Sequence, residues 1–117
     1  MSQQVLGIGG IFIRSQNPDA LNAWYRDNFG IVPAADHTPW NAGGGLLVFS
    51  AFKHDSDYYP AAQQVMINFR VNNLDAFLKE LAAKQVRIDD KRMDEPYGKF
   101  AWVYDCDGNK IELWQEV

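Results

Sequence analysis

Glu112 is the carboxylate of this chain whose neighbours in sequence best suit it for chemistry. It alternates with Lys110 and Trp114 in the run at residues 110–117. Because successive side chains of a β-strand point to opposite faces, residues of one parity share a face with Glu112. A carboxylate set among aromatic rings can serve as a general base or as the counter-charge of a bound cation. Glu112 is therefore the candidate general base.

The same parity in the neighbouring runs adds aromatic and polar side chains to this face. They are Ile8, Gly10 and Phe12 from the first run, Met66, Asn68 and Arg70 from the middle of the chain, and Phe100, Trp102 and Tyr104 before the last turn. A largely apolar cavity with a few orienting polar groups is typical of small-molecule sites. The predicted ligand-binding set is Phe12, Met66, Asn68, Arg70, Trp102, Tyr104, Glu112 and Trp114.

The same pattern also has an interpretation without a ligand. The rings could fill the interior of a closed sheet, with Arg70 and Glu112 paired as a structural salt bridge. Tyr58, Tyr59 and Pro60 are aromatic and rigid residues within an otherwise polar loop. If a pocket exists, we expect them to close over it as a flap.

Other residues capable of chemistry lie in loops, and a structural role is favoured for each. His37 is expected to be a solvated loop residue, and residues 54–57, which superficially have metal-ligand spacing, to form a hydrated loop. The run at residues 105–109 carries the Asp-Gly pair of a tight hairpin turn and lacks the spacing of a calcium loop. Cys106 has no neighbouring histidine that would activate its thiol.

Caps and hydrophobic periodicity predict the elements that position these residues. Asn17 and Pro18 begin a helix that ends at Gly30, and Asn73 caps a second amphipathic helix. Strands are predicted at residues 6–14, 31–34, 46–52, 64–71, 86–88, 98–105 and 110–117.

The order of elements repeats about halfway along the chain. Asp19-Ala20-Leu21 corresponds to Asp75-Ala76-Phe77, and Ile13 corresponds to Val71. A repeat in two copies indicates duplication of one unit. We therefore predict an α+β fold with one domain, residues 1–117. Two tandem βαβββ modules, at about residues 5–60 and 61–117, form a curved mixed sheet with the helices on its convex face.

Composition and charge narrow the range of partners. The 117 residues carry a formal net charge of −4 and include one cysteine. Scattered basic residues disfavour nucleic acid as a partner, and no apolar stretch reaches the length of a membrane span. A single cysteine excludes an internal disulfide. We expect a cytoplasmic protein that binds a small molecule, with no nucleic acid and no membrane as partner.

Three segments resemble the vicinal oxygen chelate superfamily, also called the glyoxalase/bleomycin-resistance/dioxygenase superfamily. They are residues 17–30, Asn68-Phe69-Arg70-Val71 and residues 100–114. The resemblance is to small bacterial glyoxalase-like members, covers essentially the whole chain and implies a homodimer. It does not fix the function, because members include isomerases, lyases, dioxygenases, thiol transferases and drug-sequestering proteins.

The resemblance also implies where metal ligands would lie. Metal enzymes of this superfamily place a His early in the first strand of each module and a Glu in the last strand of each. The matching positions here hold Ile8 or Gly10, Met66, no carboxylate within residues 46–52, and Glu112. One carboxylate does not make a tight transition-metal site. We therefore expect no metal and no cofactor, with a divalent metal as the alternative.

Two functions follow from these expectations. In the first, the protein binds a planar, aromatic or cationic molecule, with Glu112 as counter-charge. The rings around that molecule would be Phe12, Trp102, Tyr104 and Trp114. In the second, it is a glyoxalase-like lyase or isomerase that acts on a small carbonyl compound, with Glu112 as base and a divalent metal. Chelators would abolish the second function and leave the first intact.

Overall fold

The computed structural model describes residue 11 and residues 13–31, 43–45 and 50–116. In chain order these ranges contain helix α1 (Pro18–Phe29), strand β1 (Asn68–Arg70), helix α2 (Leu74–Ala83) and strands β2 (Arg87–Glu95), β3 (Gly98–Tyr104) and β4 (Lys110–Glu116). No helix within these ranges is long and apolar enough to cross a membrane.

Local caps set the ends of α1. The side chain of Asn17 accepts a hydrogen bond from the backbone N–H of Ala20 at 3.1 Å, and Pro18 occupies the first turn, where its missing N–H needs no partner. Gly30 ends the helix in a left-handed conformation with φ 70°, which glycine adopts without steric cost. Asn73 is the N-cap of α2. Both predicted helices are confirmed.

The strands form one mixed sheet in the order β1-β4-β3-β2. β1 runs parallel to β4, whereas β3 is antiparallel to both β4 and β2. The chain therefore has the predicted α+β class, and residues 61–117 contain the β-α-β-β-β order of the predicted second module. The duplication stays a prediction, because most of the first module lies outside the described residues.

Both helices pack on one face of this sheet. Their buried residues Leu21, Tyr25, Leu74 and Leu81 form one core with strand residues of the opposite parity to Glu112. Those strand residues are Ala101, Val103, Ile111 and Leu113. Full burial of a side chain of this size contributes roughly 1.5–3 kcal/mol, so the core determines the strand parity. That parity places Glu112 on the face away from the helices.

Several strand boundaries differ from the prediction. β1 is shorter than the predicted residues 64–71, because the side chain of Gln63 takes both backbone hydrogen bonds of Lys110, where a longer β1 would pair. β2 continues to Glu95 through a polar stretch, with a register shift between Ile88 and Arg92. The described residues of the predicted strands at 6–14, 31–34 and 46–52 are not in strands.

The turn between β3 and β4 is built around the carboxylate of Asp105, which is buried. It accepts hydrogen bonds from the backbone N–H groups of Asp107 and Asn109 at 2.9 Å and from the side-chain amide of Asn109 at 2.8 Å. The hydroxyl of Tyr25 in α1 donates to it at 2.8 Å. The predicted hairpin turn is confirmed, and it is fastened to α1.

Candidate functional site

Residues from three strands make up the face opposite the helices. The strand register arranges six of them in two rows. The first row is Asn68, Glu112 and Trp102, and the second is Arg70, Trp114 and Phe100. Side chains of paired residues start about 4.5–5.5 Å apart, so each row forms a continuous surface.

The first row belongs to the Glu112 cluster, which consists of Glu112, Asn68, Trp102 and Tyr58. One carboxylate oxygen of Glu112 accepts a hydrogen bond from the Asn68 amide at 2.8 Å, and the other accepts one from the Tyr58 hydroxyl at 2.5 Å. The Tyr58 ring meets the Trp102 ring edge-on, with centroids 5.7 Å apart. Glu112 thus has two neutral donors and, within the described ranges, no ion pair.

The phenol of Tyr58 is held in its protonated form. Burial raises the pKa of Tyr58, and the hydrogen bond to Glu112 raises that pKa further. The phenol therefore donates a hydrogen bond to the Glu112 carboxylate, and hydrogen bonds to a carboxylate are stronger than those between neutral groups.

Tyr58 reaches the sheet from a loop that is fixed to the first residue of β4. The Gln63 side chain donates to the Lys110 carbonyl and accepts from the Lys110 N–H, both at 2.8 Å. The Lys110 ammonium donates to the Tyr58 carbonyl at 2.8 Å. The Ser56 hydroxyl accepts from the Tyr58 N–H at 3.2 Å. These contacts hold the phenol over the Glu112 carboxylate.

Trp102 is buried although it lies on the face away from the helices. Its exposed fraction is 1%. The ammonium groups of Lys91 and Lys110 lie 5.4 and 5.6 Å from its ring centroid, within cation–π range. The indole Nε1 of Trp102 is buried and has no hydrogen-bond partner among the described residues. A buried donor without an acceptor costs about 1–3 kcal/mol.

Phe100 and Trp114 form a stacked pair in the second row. Their ring planes are inclined by 6° and their centroids lie 6.0 Å apart. The Trp114 indole lies over Gly98, where a Cβ atom would come within 2.5 Å of Nε1, so a larger residue at 98 would displace the ring. This stack provides a flat aromatic surface beside the Glu112 cluster.

Arg70 lies in the second row but does not contact Glu112. Its guanidinium donates to Glu116 at 3.2 Å and to the carbonyl of Gly44 at 2.9 Å. The Arg70–Glu112 salt bridge, one part of the alternative interpretation, is therefore wrong. Arg70 follows Asn68 by two positions in β1, and this places it beside Trp114 and within reach of Glu116 instead.

Tyr104 is also turned away from Glu112. Its hydroxyl donates to Asp89 of β2 at 2.7 Å, and the Arg87 guanidinium lies 4.0 Å from its ring centroid. The hydrogen bond from Tyr104 holds the pKa of Asp89 below its usual value, and the same bond raises the pKa of Tyr104. The predicted site residue Tyr104 thus forms a separate polar contact with β2.

Among the remaining sequence candidates, the described residues Met66 and Cys106 do not belong to the Glu112 cluster. Met66 is half-buried and lies two residues before β1, whereas Phe12, Ile8, Gly10 and His37 lie outside the described residues. Cys106 is an exposed cysteine. Partial burial raises the pKa of its thiol, with Asp107 and Asp105 adding to the shift, and this disfavours the reactive thiolate.

Among the described residues, the surroundings of Glu112 do not supply the ligands of a metal centre. Within the part of the chain that the structure describes, no group of three His, Cys, Asp or Glu side chains could hold a metal ion. The contacts of Glu112 are an amide and a phenol, with an indole paired beside it. Transition metals in proteins prefer imidazole, thiolate and carboxylate ligands.

The sequence prediction missed the residues that cover the first row. It included Tyr58 only as part of a flap, and it omitted Gln63 and Lys91. The structure brings Tyr58 onto the site. The rings of Tyr58 and Tyr59 both pack on Phe52, with centroids 5.2 and 5.6 Å from it. Aromatic residues in a polar loop were the available signal for Tyr58. Long-range loop contacts such as those of Gln63 leave no periodic pattern in sequence.

A family model agrees with the resemblance described above. The model of the Glyoxalase/Bleomycin resistance protein/Dioxygenase superfamily matches residues 7–113. No curated protein sequence matches the chain.

Solved structures share the fold over nearly the whole chain. TnmS3, an antibiotic binding protein from Streptomyces sp. CB03234, is 17% identical with a TM-score of 0.65, covering 99% of this chain and 100% of its own. A superfamily member from Sphaerobacter thermophilus DSM 20745 is 13% identical with a TM-score of 0.61, covering 96% and 98%. Lactoylglutathione lyase from Agrobacterium tumefaciens is 15% identical with a TM-score of 0.60, covering 97% and 96%. At these identities the likeness is one of fold.

Proposed function

This chain belongs to the Glyoxalase/Bleomycin resistance protein/Dioxygenase superfamily, and from that premise we propose that it binds a planar aromatic small molecule. The ligand lies on the sheet face opposite the helices, against the stack of Phe100 on Trp114 and beside Glu112. An electropositive group of the ligand is directed at Glu112, and no metal ion takes part. Fold alone does not determine function in such families, so the proposal rests on the site.

The observation that carries the proposal is a carboxylate flanked by aromatic rings and without a cationic partner in the described structure. Glu112 is half-buried and accepts hydrogen bonds from two neutral groups, Asn68 and Tyr58. Arg70, the cation predicted to face it, pairs with Glu116. A partly desolvated charge is stabilised when a cation or a strong donor binds to it.

A binding role has a precedent on this fold, since TnmS3 is an antibiotic binding protein. Two features of this chain support the same role. The Phe100–Trp114 stack offers ring surface for offset stacking, and aromatic pairs of this kind contribute about 0.5–1.5 kcal/mol beyond their buried area. The indole N–H groups of Trp102 and Trp114 are buried and have no acceptor among the described residues, so a molecule that displaced the groups covering them could accept from them.

Replacing Glu112 by Gln tests the assignment, with two planar tricyclic probes of opposite charge. Proflavine is a cation, and anthracene-9-carboxylate is an anion. We expect Glu112→Gln to weaken proflavine binding about tenfold, which corresponds to ~1.4 kcal/mol. Binding of the anion should be unchanged or tighter. The affinities are measured by isothermal titration calorimetry with the protein at low ionic strength.

The matched control is Glu80→Gln, which removes the same charge from the exposed surface of α2. It should leave the affinity for proflavine within about twofold, because exposed charges contribute little at a distance. Equal losses in both variants would mean that proflavine responds to net charge only. If the wild-type protein bound neither probe, the aromatic-ligand proposal would be wrong.

A further inference from the structure

Tyr58 makes the contacts on this face that a bound aromatic molecule would make. Its ring packs edge-on against Trp102 at 5.7 Å, and its hydroxyl donates to Glu112. The ammonium groups of Lys91 and Lys110 lie 5.6 and 5.8 Å from its ring centroid. The phenol is therefore recognised on its face, at its edge and at its hydroxyl by groups of the sheet.

The side chain of Tyr58 is separate from the hydrophobic core that holds the fold together. The core cluster between the helices and the sheet does not include it. The segment at residues 50–67 that carries it has no helix or strand. Its backbone is fixed by two hydrogen bonds, from the Lys110 ammonium to its carbonyl and from its own N–H to Ser56. Displacing the ring would leave the packing of α1 and α2 intact.

The Glu112 cluster is selective for a donor. The carboxylate oxygen that accepts from Tyr58 cannot donate in its ionised form. A ring that lacked a donor at this position would leave that oxygen partly buried and unsatisfied. Sites built to hydrogen-bond a hydroxyl reject analogues without it far more strongly than apolar pockets reject a missing methylene.

From these contacts we infer that the ligand of this site is a phenol, an aromatic ring bearing a free hydroxyl, which replaces Tyr58 on Trp102 and donates to Glu112. The inference rests on the proposed function and specifies its ligand class. Tyr58 is then an internal competitor, and the apparent affinity for the ligand is reduced by the fraction of time that Tyr58 occupies the site.

The test compares 2-naphthol with 2-methoxynaphthalene, which has the same rings and no donor. Calorimetric titrations use the full chain as wild type, Tyr58→Ala and Tyr58→Phe. We expect Tyr58→Ala to bind 2-naphthol at least about tenfold more tightly than wild type, because nothing has to be displaced. Within Tyr58→Ala, 2-methoxynaphthalene should bind at least about tenfold more weakly than 2-naphthol. Tyr58→Phe keeps the ring and loses its hydrogen bond, so it should lie between wild type and Tyr58→Ala.

Tyr59→Ala is the matched control, because Tyr59 is the neighbouring tyrosine and is not part of the Glu112 cluster, although its ring and that of Tyr58 both pack on Phe52. Any tightening of 2-naphthol binding in Tyr59→Ala should be well below that in Tyr58→Ala. If Tyr58→Ala does not fold, as judged by circular dichroism, the comparison of Tyr58→Phe with wild type decides the question. Tighter binding of 2-naphthol to Tyr58→Phe then supports the inference, and unchanged or weaker binding overturns it.

The outcomes separate this inference from the proposed function. Unchanged or weaker binding of 2-naphthol to Tyr58→Ala, with proflavine still bound by wild type, would make Tyr58 a wall of the site and overturn only the inference. Equal binding of naphthol and its methyl ether would do the same, because the hydroxyl would not be recognised. Failure of wild type and every variant to bind proflavine or 2-naphthol would remove the proposed function as well.

Discussion

Within the described ranges, three tyrosine hydroxyls donate to carboxylates, and each pair joins distant parts of the chain. Tyr25 joins α1 to Asp105 in the β3–β4 turn, Tyr58 joins a loop to β4, and Tyr104 joins β3 to Asp89 in β2. A hydrogen bond to a charged acceptor contributes about 1.5–3 kcal/mol, more than one between neutral groups. Single residues of this kind therefore have measurable and separable effects.

The Tyr25–Asp105 bond predicts a loss of stability in Tyr25→Phe. Burial and the neighbouring charge of Asp105 both raise the pKa of Tyr25, so its phenol donates at every ordinary pH. Removing the hydroxyl leaves a buried carboxylate short of one donor. The free energy of unfolding should fall by about 1–3 kcal/mol, measured by urea denaturation. Tyr97→Phe, at a tyrosine that is 64% exposed, should change it by less than about 0.5 kcal/mol.

The Tyr104–Asp89 bond predicts a change in the titration of Asp89. The hydrogen bond from Tyr104 is the main reason why the pKa of Asp89 lies below the usual 3.8. In Tyr104→Phe the pKa of Asp89 should rise towards that value, as followed by the NMR shift of its carboxyl carbon. A pKa lowered in the folded state means stability that is present above about pH 4 and is lost as the pH falls through the folded pKa. Tyr104→Phe should therefore lose less of its stability on acidification than wild type. An unmoved Asp89 titration would contradict the assigned cause.

Among the elements, α2 ends differently from α1. α1 ends at a glycine, whereas the left-handed position after α2 is occupied by Gln85 with φ 64°. A residue with a Cβ is strained there by roughly 1 kcal/mol. The backbone N–H of Val86 still closes the helix by donating to the Leu81 carbonyl at 3.0 Å.

Gln85→Gly should therefore stabilise the protein, by about 0.5–1 kcal/mol after allowing for the greater freedom of glycine in the unfolded chain. Ala83→Gly, at the last residue of α2, should destabilise it, by up to about 1 kcal/mol. Urea denaturation of both variants measures the two changes. Effects of the same sign would show that the conformation of Gln85 carries no strain.

Sequence patterns predicted those elements whose burial follows a simple period. Asn caps predicted the helices α1 and α2. Alternation of core residues such as Val103 and Ile111 predicted the strands β3 and β4. The prediction missed β2 beyond Ile88. Because β2 lies at the edge of the described sheet, its residues need not alternate between apolar and polar. Its Arg92 meets Asp75 of α2 in a salt bridge at 2.8 Å, where an apolar residue would be expected.

The candidate site was predictable to the same degree. Parity placed Asn68, Glu112 and Trp102 on one face, because the core forces the alternate residues inward. Parity could not tell which polar groups would meet. Arg70 pairs with Glu116 and not with Glu112, because it lies two positions after Asn68, the residue that is paired with Glu112. Tyr58 reaches Glu112 from a loop. Pairings of this kind depend on three-dimensional distances that a single sequence does not encode locally.

For the molecule as a whole, metal dependence is the property that separates the binding role from a glyoxalase-like lyase. We expect elemental analysis of the untagged protein to find well below one equivalent of nickel, zinc, manganese or iron. A chelator should leave the melting temperature unchanged. An ion bound at a hundredfold excess over its Kd would add about 2.7 kcal/mol to stability, so its removal would lower the melting temperature by several degrees. One equivalent of metal with such a drop would favour the lyase.

The homodimer expected from the family remains a prediction that sedimentation can check.

The parallel pairing of β1 with β4 has a consequence for the order in which the site is assembled. Trp102 and Glu112 face each other across a hairpin, whereas Asn68 is 44 positions away from Glu112 along the chain. Local hairpins close at little entropic cost, and distant strands dock later. We therefore expect the carboxylate and the indole to come together early in folding, and the amide that orients the carboxylate to join them last. A molecule bound at Glu112 and Asn68 would stabilise the docking of β1 on β4. The amide protons of β1 would then exchange more slowly with solvent.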